Sequence, residues 1–311
     1  MTQANPDNQP DIKQGLFFGF LTALIWGSWP VVSAFGIHQS LNAWDITFLR
    51  FAIAGVLLLP IVIKKGLFPK GIFPSCLIAF GAGIPYVAIT VQGFQYAPAA
   101  HSGVFGPGTL LILTLLGGWK LFGDKPDQKR LVGAAMILSG IVVLAWANLA
   151  ASTSQQQSDM VSYGQFLFVC GGTCWSIFTL SSRYWGFDSL HATAIVSVIS
   201  ALLYSPVYLW FGSEQLLAAP TEELLLQGFF QGVMAAVLAL FFYSRTLVAL
   251  GAARGAIFAS LVPVVALILA VPVLDQIPSW AGMFGAASVT IGMLISLGLL
   301  KIRREKRSRA G

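Results

Sequence analysis

Two stretches of this sequence decide its fold because they are versions of one another: GLFFGFLTALIW (Gly15–Trp26) and GQFLFVCGGTCW (Gly164–Trp175). They align without a gap, so that their first glycines and their last tryptophans coincide. Further along, GAAMILSG (Gly133–Gly140) aligns with GAASVTIG (Gly285–Gly292). One such match means little in a chain of biased composition. Several in the same order, at an offset of about 150 residues, indicate an internal duplication.

The apolar content of the chain places both copies in a membrane. Hydrophobic residues make up 56% and charged residues only 10%, whereas soluble domains carry roughly 25% charged residues. A membrane-spanning helix needs about 20 mostly apolar residues. The chain contains ten apolar segments of about this length, which leaves no room for a sizeable soluble domain. These segments are 15–36, 45–63, 74–95, 99–120, 130–148, 162–182, 190–211, 223–243, 252–273 and 280–300.

Each half contains five of these segments, and this odd number means that the second half enters the membrane in the opposite sense. The predicted fold is an all-α integral membrane protein with ten transmembrane helices in two inverted five-helix repeats. We divide the chain into a disordered cytoplasmic tail (1–14), a first repeat (15–148), an extracytoplasmic linker (149–161), a second repeat (162–300) and a basic cytoplasmic tail (301–311).

The positive charges predict the orientation. All but one of the 18 Lys and Arg residues lie in the tails, in alternate connections between apolar segments, or at the adjoining helix ends. Cytoplasmic loops retain Lys and Arg, so we predict that both termini are cytoplasmic. The net charge of +6 comes from this rim, which favours membrane topology over nucleic-acid binding as its explanation.

The residues within the spans favour transport over catalysis. The three cysteines (Cys76, Cys170 and Cys174) lie in apolar segments without metal-ligand spacing, so we interpret them as packing residues. The spans contain no nucleophile–base pair and no carboxylate cluster. We therefore predict no enzymatic activity, no cofactor and no metal. The expected partners are a small-molecule substrate and the lipid bilayer, without nucleic acid; a monomeric state is left open.

Three further stretches carry a family resemblance: ALIWGSWPVVSA (Ala23–Ala34), LRFAIAGVLLLP (Leu49–Pro60) and GAARGAIFASLVPVVALILA (Gly251–Ala270). Over residues 15–300 the chain resembles the EamA-type families of the drug/metabolite transporter superfamily. This resemblance implies ten helices, two EamA repeats and export of small metabolites, with amino-acid and aromatic-compound exporters among the relatives. It also implies a bacterial inner membrane. The later helices lack the paired Lys or Arg residues that would hold a phosphate, unlike the nucleotide-sugar branches.

Arg50 is the one Lys or Arg residue that lies inside an apolar segment and away from its ends. A charge within a span usually faces the protein interior or a water-filled cavity and has a partner. Two roles are open for it. Arg50 attracts a substrate carboxylate, or it is an architectural charge that pairs with Asp45 or helix-end carbonyls, or extends toward the surface.

Trp26 and Trp175 occupy equivalent positions in the two repeats, about eleven residues into their helices. Tryptophan is ordinarily enriched at the membrane interface, so a symmetric pair at depth points to a cavity for aromatic or apolar ligands. Core packing between the repeats is the alternative.

Uncharged polar residues supply further candidates for a substrate cavity. Gln227 and Gln231 are four residues apart and therefore share one helix face. Buried amides need hydrogen-bond partners, which a water-lined cavity or a neighbouring helix can supply; both remain open, and the cavity is favoured. The polar candidates in the third segment are Tyr86, Thr90, Gln92 and Gln95.

Prolines within the apolar segments are candidate hinges: Pro30, Pro107 and Pro263, the last two at equivalent positions of the repeats. Proline removes one backbone hydrogen bond and kinks a helix, so each is either a moving joint or a static packing device.

These features together predict a secondary transporter that exports small amphipathic metabolites, such as amino acids or aromatic compounds, by alternating access. The alternative is an importer or exchanger of organic anions, sugars or drugs with the same fold, in which Arg50 contacts the anion.

Overall fold

The computed structural model describes residues 12–151, 155–250 and 252–300, and all regular elements within them are helical. Most of the predicted N-terminal tail and the whole predicted basic tail lie outside these ranges. The α-helices are α1 Ile12–His38, α2 Ala43–Lys65, α3 Ile72–Ala82, α4 Ile84–Gly93, α5 Ala99–Phe122, α6 Gln128–Ala151, α7 Gln155–Trp185, α8 Ser189–Phe211, α9 Glu214–Ala218, α10 Thr221–Gly228, α11 Ala239–Leu250, α12 Ala252–Ser260, α13 Val262–Leu274 and α14 Trp280–Ser296. A π-helical segment, Phe229–Leu238, joins α10 to α11.

Among the described residues, seven helical stretches are long and apolar enough to cross a membrane. Two shorter apolar helices, α13 and α14, follow them. All ten predicted segments overlap a helix or two consecutive helices. Helix α7 begins at Gln155, inside the predicted linker, where a run of three glutamines favours helix. The seven stretches are Ile12–His38, Ala43–Lys65, Ile72–Gly93, Ala99–Phe122, Gln128–Ala147, Ser189–Phe211 and Thr221–Leu250.

The third helix of each repeat is irregular. In the first repeat it is divided into α3 and α4 at Gly83, and Pro85 follows at the start of α4. Because proline lacks an N–H group, it is accommodated best in the first turn of a new helix. In the second repeat the π-helical segment interrupts the α-helical pattern between Thr221 and Leu250. Discontinuous helices of this kind mark the substrate region in transporters built from inverted repeats.

The last helices of the two repeats, α6 and α14, form the most extensive helix pair. The duplicated glycine motifs meet there in antiparallel register. A Cβ atom on Gly292 would lie 2.6 Å from the carbonyl oxygen of Gly133, and one on Gly140 would lie 3.1 Å from the carbonyl oxygen of Gly285. Small residues allow helices to approach closely in a membrane. The two copies of the duplicated glycine motif therefore contact each other in the structure.

The first helix of each repeat packs against the third and fourth helices of the other repeat. Helix α1 lies against α11, α12 and α13, while α7 lies against α3, α4 and α5. Each repeat thus contributes its first helix to the opposite half of the bundle. The space enclosed by these two first helices and their neighbours consequently lies at the boundary of the repeats. Inverted-repeat transporters bind substrate at such a boundary.

The two ends of the bundle differ in charge and in packing. We call the end with connections 66–71, 123–127 and 186–188, which contain or adjoin Lys and Arg residues, the basic face, and the other end the opposite face. Toward the opposite face, α1 contacts α4 and α5, and α2 contacts α4. Because the second repeat is inverted, the equivalent contacts of its first two helices with its third and fourth helices would lie toward the basic face. Within the described part of the chain, α7 makes little contact with α11, α12 or α13, and α8 little with α11.

Polar and close backbone contacts also join the helices at the opposite face. The Ala99 backbone N–H donates to Gln276 Oε1 at 3.1 Å, linking the start of α5 to the end of α13. Further along α13, a Cβ atom on Gly103 would lie 3.1 Å from the Cα atom of Pro263. The fourth helices of the two repeats are therefore in close contact.

Candidate functional site

The indole of Trp29 connects the central residues of the bundle. Its Nε1–H donates a hydrogen bond to Gln231 Oε1 at 2.7 Å. Its ring stacks on Tyr86, with centroids 5.8 Å apart and planes 18° apart. The Arg50 guanidinium carbon lies 5.8 Å from the centroid of the same ring. One side chain of α1 therefore joins three residues that the sequence nominated separately.

Arg50 is a partly buried cation of α2 that forms no ion pair with a carboxylate among the described residues. Its Nε and Nη1 atoms are inaccessible and make no hydrogen bond among the described residues. Asp45, the carboxylate proposed as an architectural partner, instead accepts a hydrogen bond from the Tyr208 hydroxyl at 2.5 Å and another from the Asn42 backbone N–H at 2.9 Å. Arg50 and Asp45 are therefore not paired in the structure, which removes one form of the architectural role considered for Arg50.

Trp26 and Trp175 make related contacts across the repeat boundary. Trp26 lies against Tyr243, with ring centroids 5.1 Å apart. Trp175 lies against Tyr86, with ring centroids 4.6 Å apart. Each tryptophan of one repeat therefore contacts a tyrosine in the third helix of the other. All four side chains are only partly buried, which is consistent with either the cavity or the packing role.

Gln227 and Gln231 are fully buried and bonded to α1. Gln227 Nε2 donates to the Val32 carbonyl at 2.7 Å, and Gln231 Nε2 donates to Ser33 Oγ at 2.9 Å. Gln231 Nε2 also lies 3.3 Å from Gln227 Oε1, in agreement with the predicted shared helix face. In this conformation the two amides occupy the second of the predicted environments, interhelical hydrogen bonding. Their contact with substrate stays a prediction.

The polar candidates of the third helix lie at different depths. Thr90 is buried, and its Oγ1 has no hydrogen-bond partner among the described residues. Gln92 lies further toward the opposite face, where its Nε2 donates to Gln95 Oε1 at 2.6 Å. Gln95 is exposed. The structure therefore brings Tyr86 to Trp29 and Trp175 but leaves Gln92 and Gln95 at and just beyond the end of α4.

The three candidate hinges have different local structures. Pro30 and Pro107 lie inside the continuous helices α1 and α5. Pro263 instead lies in the first turn of α13, directly after the interruption between α12 and α13. Pro107 thus lies in a continuous helix, whereas its equivalent Pro263 follows a helix break. The fourth helices of the two repeats therefore differ in conformation at these prolines.

Aromatic packing fills the interior between this region and the opposite face. Phe94, at the end of α4, lies 6.2 Å from Trp29 and 5.2 Å from Phe168, measured between ring centroids. Phe94 and Phe168 are each 1% exposed. Tyr86 and Trp175, on the side of the basic face, remain partly exposed. Phe94 and Phe168 therefore fill the space between Trp29 and the ends of α4 and α7 nearest the opposite face.

Sequence reasoning missed Trp29, although it lies three residues after Trp26 in the quoted stretch WGSWP. It has no tryptophan counterpart in the second repeat, so the repeat alignment did not mark it. Tyr243 was missed because a single tyrosine in an apolar segment is not distinctive. The available signal for Trp29 was its spacing from Trp26, which places both on one side of a helix.

A separate pocket of about 560 Å³ lies at the opposite face, between α2, α8 and α9. Asp45, Tyr204 and Tyr208 contribute to its lining. It lies at the ends of these helices, away from Trp29 and Tyr86, and the Asp45 carboxylate in its lining is already hydrogen-bonded. We therefore place the candidate site at Arg50, Trp29, Tyr86 and Trp175, where charge and aromatic groups meet between the repeats.

Comparisons with known proteins agree with the two-repeat organisation. The EamA-like transporter family matches the chain twice, at residues 13–146 and 162–298. The chain is 25% identical over 257 residues to the Uncharacterized transporter YetK of Bacillus subtilis (strain 168), covering 80% of this chain and 76% of that protein. It is 22% identical over 260 residues to the Uncharacterized transporter YyaM of the same organism, covering 81% and 84%. A protein of known crystal structure, 19% identical, has the same fold with a TM-score of 0.64, covering 92% of this chain and 99% of that one.

Proposed function

Because this chain belongs to the EamA-like transporter family and is a multi-pass membrane protein, we propose that it exports small amphipathic metabolites, such as amino acids or aromatic compounds, as a secondary transporter. Members of this family are transporters, so an enzymatic role has no support. In our proposal ten helices cross the inner membrane, and both termini and the basic face are cytoplasmic.

The difference in packing between the two faces carries this proposal. Contacts of α1 and α2 with α4 and α5 join the helices toward the opposite face, and the equivalent contacts of the second repeat are sparse in the described part of the chain. Alternating access requires two related repeats that adopt different conformations at the same time, so that one end of the bundle is packed and the other is not. Exchanging the two arrangements would open the opposite face and close the basic face. This conformation accordingly corresponds to the state that accepts substrate from the cytoplasm.

The proposed path runs past Arg50 and the partly exposed rings of Tyr86 and Trp175. These groups suit a molecule with one apolar part and one polar part, because aromatic rings pack the first and the charged group binds the second. The alternative is an importer or exchanger of organic anions, sugars or drugs with the same fold, in which Arg50 contacts the anion.

Counterflow in proteoliposomes tests the proposal. Liposomes containing the full chain are loaded with a mixture of unlabelled amino acids and diluted into buffer with labelled phenylalanine. We expect uptake of label above that of protein-free liposomes, and we expect it to fall in the Gln227→Ala/Gln231→Ala variant if these amides contact substrate. Uptake unaffected by this variant moves the site away from the glutamines. Absence of exchange for all amino acids and aromatic compounds would contradict the proposed substrates.

Direction requires a separate experiment. Vesicles prepared in both orientations from cells expressing the protein distinguish export from import. We expect uptake into inside-out vesicles to exceed uptake into right-side-out vesicles under the same gradient. The reverse would favour the importer.

A further inference from the structure

The Arg50 guanidinium carries hydrogen-bond donors that the protein leaves unused. Nε and Nη1 are inaccessible and have no acceptor among the described residues. Its contact with the Trp29 ring, at 5.8 Å, provides electrostatic attraction. A ring face does not replace oxygen acceptors for the N–H groups, and buried N–H groups without acceptors cost free energy. The arrangement is therefore incomplete without an oxygen-bearing group.

Aromatic rings continue from Arg50 toward the boundary of the repeats. Tyr86 stacks on Trp29, with ring centroids 5.8 Å apart, and Trp175 lies 4.6 Å from Tyr86. We call Trp29, Tyr86 and Trp175 the aromatic row. Aromatic pairs prefer offset or tilted geometries at such distances. A planar ring added to this row would find similar faces and edges to pack against.

The geometry points to a binding site for an aromatic carboxylate anion at Arg50 and the aromatic row, an assignment that rests on the proposed transport function. The carboxylate accepts two hydrogen bonds from the fork of guanidinium N–H groups, the arrangement that matches their planar shapes. The aromatic part of the ligand packs against the row. The ligand thereby supplies the acceptor that the protein lacks at this position.

The same site disfavours a substrate with an ammonium group. The described residues include two buried carboxylates, Asp45 and Glu223. Asp45 accepts from Tyr208, and Glu223 accepts from the Ser40 hydroxyl at 2.5 Å. Both carboxylates are engaged near the opposite face. A zwitterionic amino acid would bring its positive charge near Arg50 without an acidic partner, so we infer a preference for the anion over the zwitterion.

Three probes with one carbon skeleton separate these charges: 3-phenylpropionate carries the carboxylate alone, phenylalanine carries both groups, and 2-phenylethylamine carries the ammonium alone. Binding to the purified full chain is measured by quenching of tryptophan fluorescence and by ligand-dependent thermal stabilisation. For the wild-type protein we expect 3-phenylpropionate to bind at least about ten-fold more tightly than phenylalanine, and 2-phenylethylamine to be the weakest. Equal or tighter binding of phenylalanine overturns the proposal without any variant.

Substitutions then assign the preference to Arg50. We expect Arg50→Gln to lose about ten-fold or more in affinity for 3-phenylpropionate, with little change for 2-phenylethylamine. Arg50→Lys keeps the charge but not the paired donors, so partial recovery is expected. The matched control is Arg183→Gln, which removes a cation already bonded to Asp124 at the basic face. A loss as large in Arg183→Gln as in Arg50→Gln would contradict the assignment.

The binding and counterflow measurements test the anion site and the transport function separately. Tight binding of 3-phenylpropionate without any exchange would support the site and contradict the proposed transport of this class of compound. Amino-acid exchange that is unchanged in a folded Arg50→Gln variant would support transport and overturn the anion site.

Discussion

The Trp29 indole donates its hydrogen bond to Gln231 Oε1 over 2.7 Å, across 202 positions of sequence. Trp29 belongs to the first helix of one repeat and Gln231 to the third helix of the other. The bond therefore holds an aromatic residue of the candidate site in place from the opposite repeat. Gln231 Nε2 in turn donates a hydrogen bond to Ser33 Oγ at 2.9 Å. The Gln231 side chain therefore links two residues of α1 to the third helix of the other repeat.

Replacing Gln231 should destabilise the bundle more than replacing an exposed glutamine. Gln231→Leu leaves the Trp29 N–H without an acceptor, and an unsatisfied buried donor costs about 1–3 kcal/mol. Membrane hydrogen bonds average nearer 0.6 kcal/mol, so we expect a value of about 1–2 kcal/mol. Thermal unfolding in detergent measures the change. Gln95→Leu, at an exposed position just after α4, is the control; equal effects of the two would mean that the buried bond contributes nothing.

The glycine contact between α6 and α14 should not tolerate a methyl group. A Cβ atom on Gly292 would lie 2.6 Å from the Gly133 carbonyl oxygen and 2.7 Å from Ile137 Cγ1. Overpacking of this kind costs about 1–3 kcal/mol. We expect Gly292→Ala to lower the unfolding temperature. Gly282→Ala, in the same helix, would meet only Ser279 Oγ at 3.5 Å and should have little effect.

Locking the opposite face shut should stop transport. Ala99 N–H and Gln276 Oε1 lie 3.1 Å apart at this face, so cysteines at both positions are within reach of a short thiol cross-linker. In a background with the native cysteines replaced by alanine, we expect the Ala99→Cys/Gln276→Cys variant to lose counterflow after treatment with a cleavable reagent and to regain it after cleavage. Each single variant serves as a control. Full exchange in the cross-linked protein would show that the two ends need not separate.

Equivalent prolines should not be equivalent in function. Pro263 follows a helix break, whereas Pro107 lies in a continuous helix. If the break is a moving joint, restoring a backbone donor with Pro263→Ala should slow counterflow more than it lowers expression. We expect a smaller effect from Pro107→Ala and an added effect in the double variant. Expression and counterflow falling in parallel would assign both prolines to packing.

The Asp124–Arg183 contact at the basic face should weaken in acid. Arg183 Nη1 lies 2.5 Å from Asp124 Oδ2, and this hydrogen bond lowers the pKa of Asp124 below its ordinary value of 3.8. The folded state therefore favours the carboxylate, and its contribution is present above that value and lost as the pH falls further. Because the pair is exposed, the effect is small. Asp124→Asn should reduce the acid dependence of the unfolding temperature; an unchanged profile would contradict this.

Much of the fold could be predicted because membrane insertion and duplication leave strong patterns. The positions of the apolar runs, the repeated Gly133–Gly140 motif and the two tryptophans all correspond to features of the structure. The helix interruptions were harder to predict. Gly83 and the segment around Gln231 lie within continuous apolar runs, and their backbone conformation depends on neighbouring helices.

The site was only partly predictable because it is assembled by contacts between distant helices. Trp26 and Trp175 stood out through symmetry, whereas Trp29 has no equivalent in the second repeat. The sequence nominated Arg50 and Asp45 as partners from their proximity along α2. Asp45 instead binds Tyr208, 163 positions away, which no local pattern indicates.

The reciprocal contact of α6 with α14 also bears on how the chain is made. Helix α6 ends at Ala151, yet its most extensive neighbour begins at Trp280 and is the last described helix to leave the ribosome. During synthesis the glycine-lined surface of α6 therefore contacts lipid or another helix until α7 to α14 have been made. Completion of the bundle is therefore a late event, and truncation of the final helix would expose a surface near the middle of the chain to quality-control machinery.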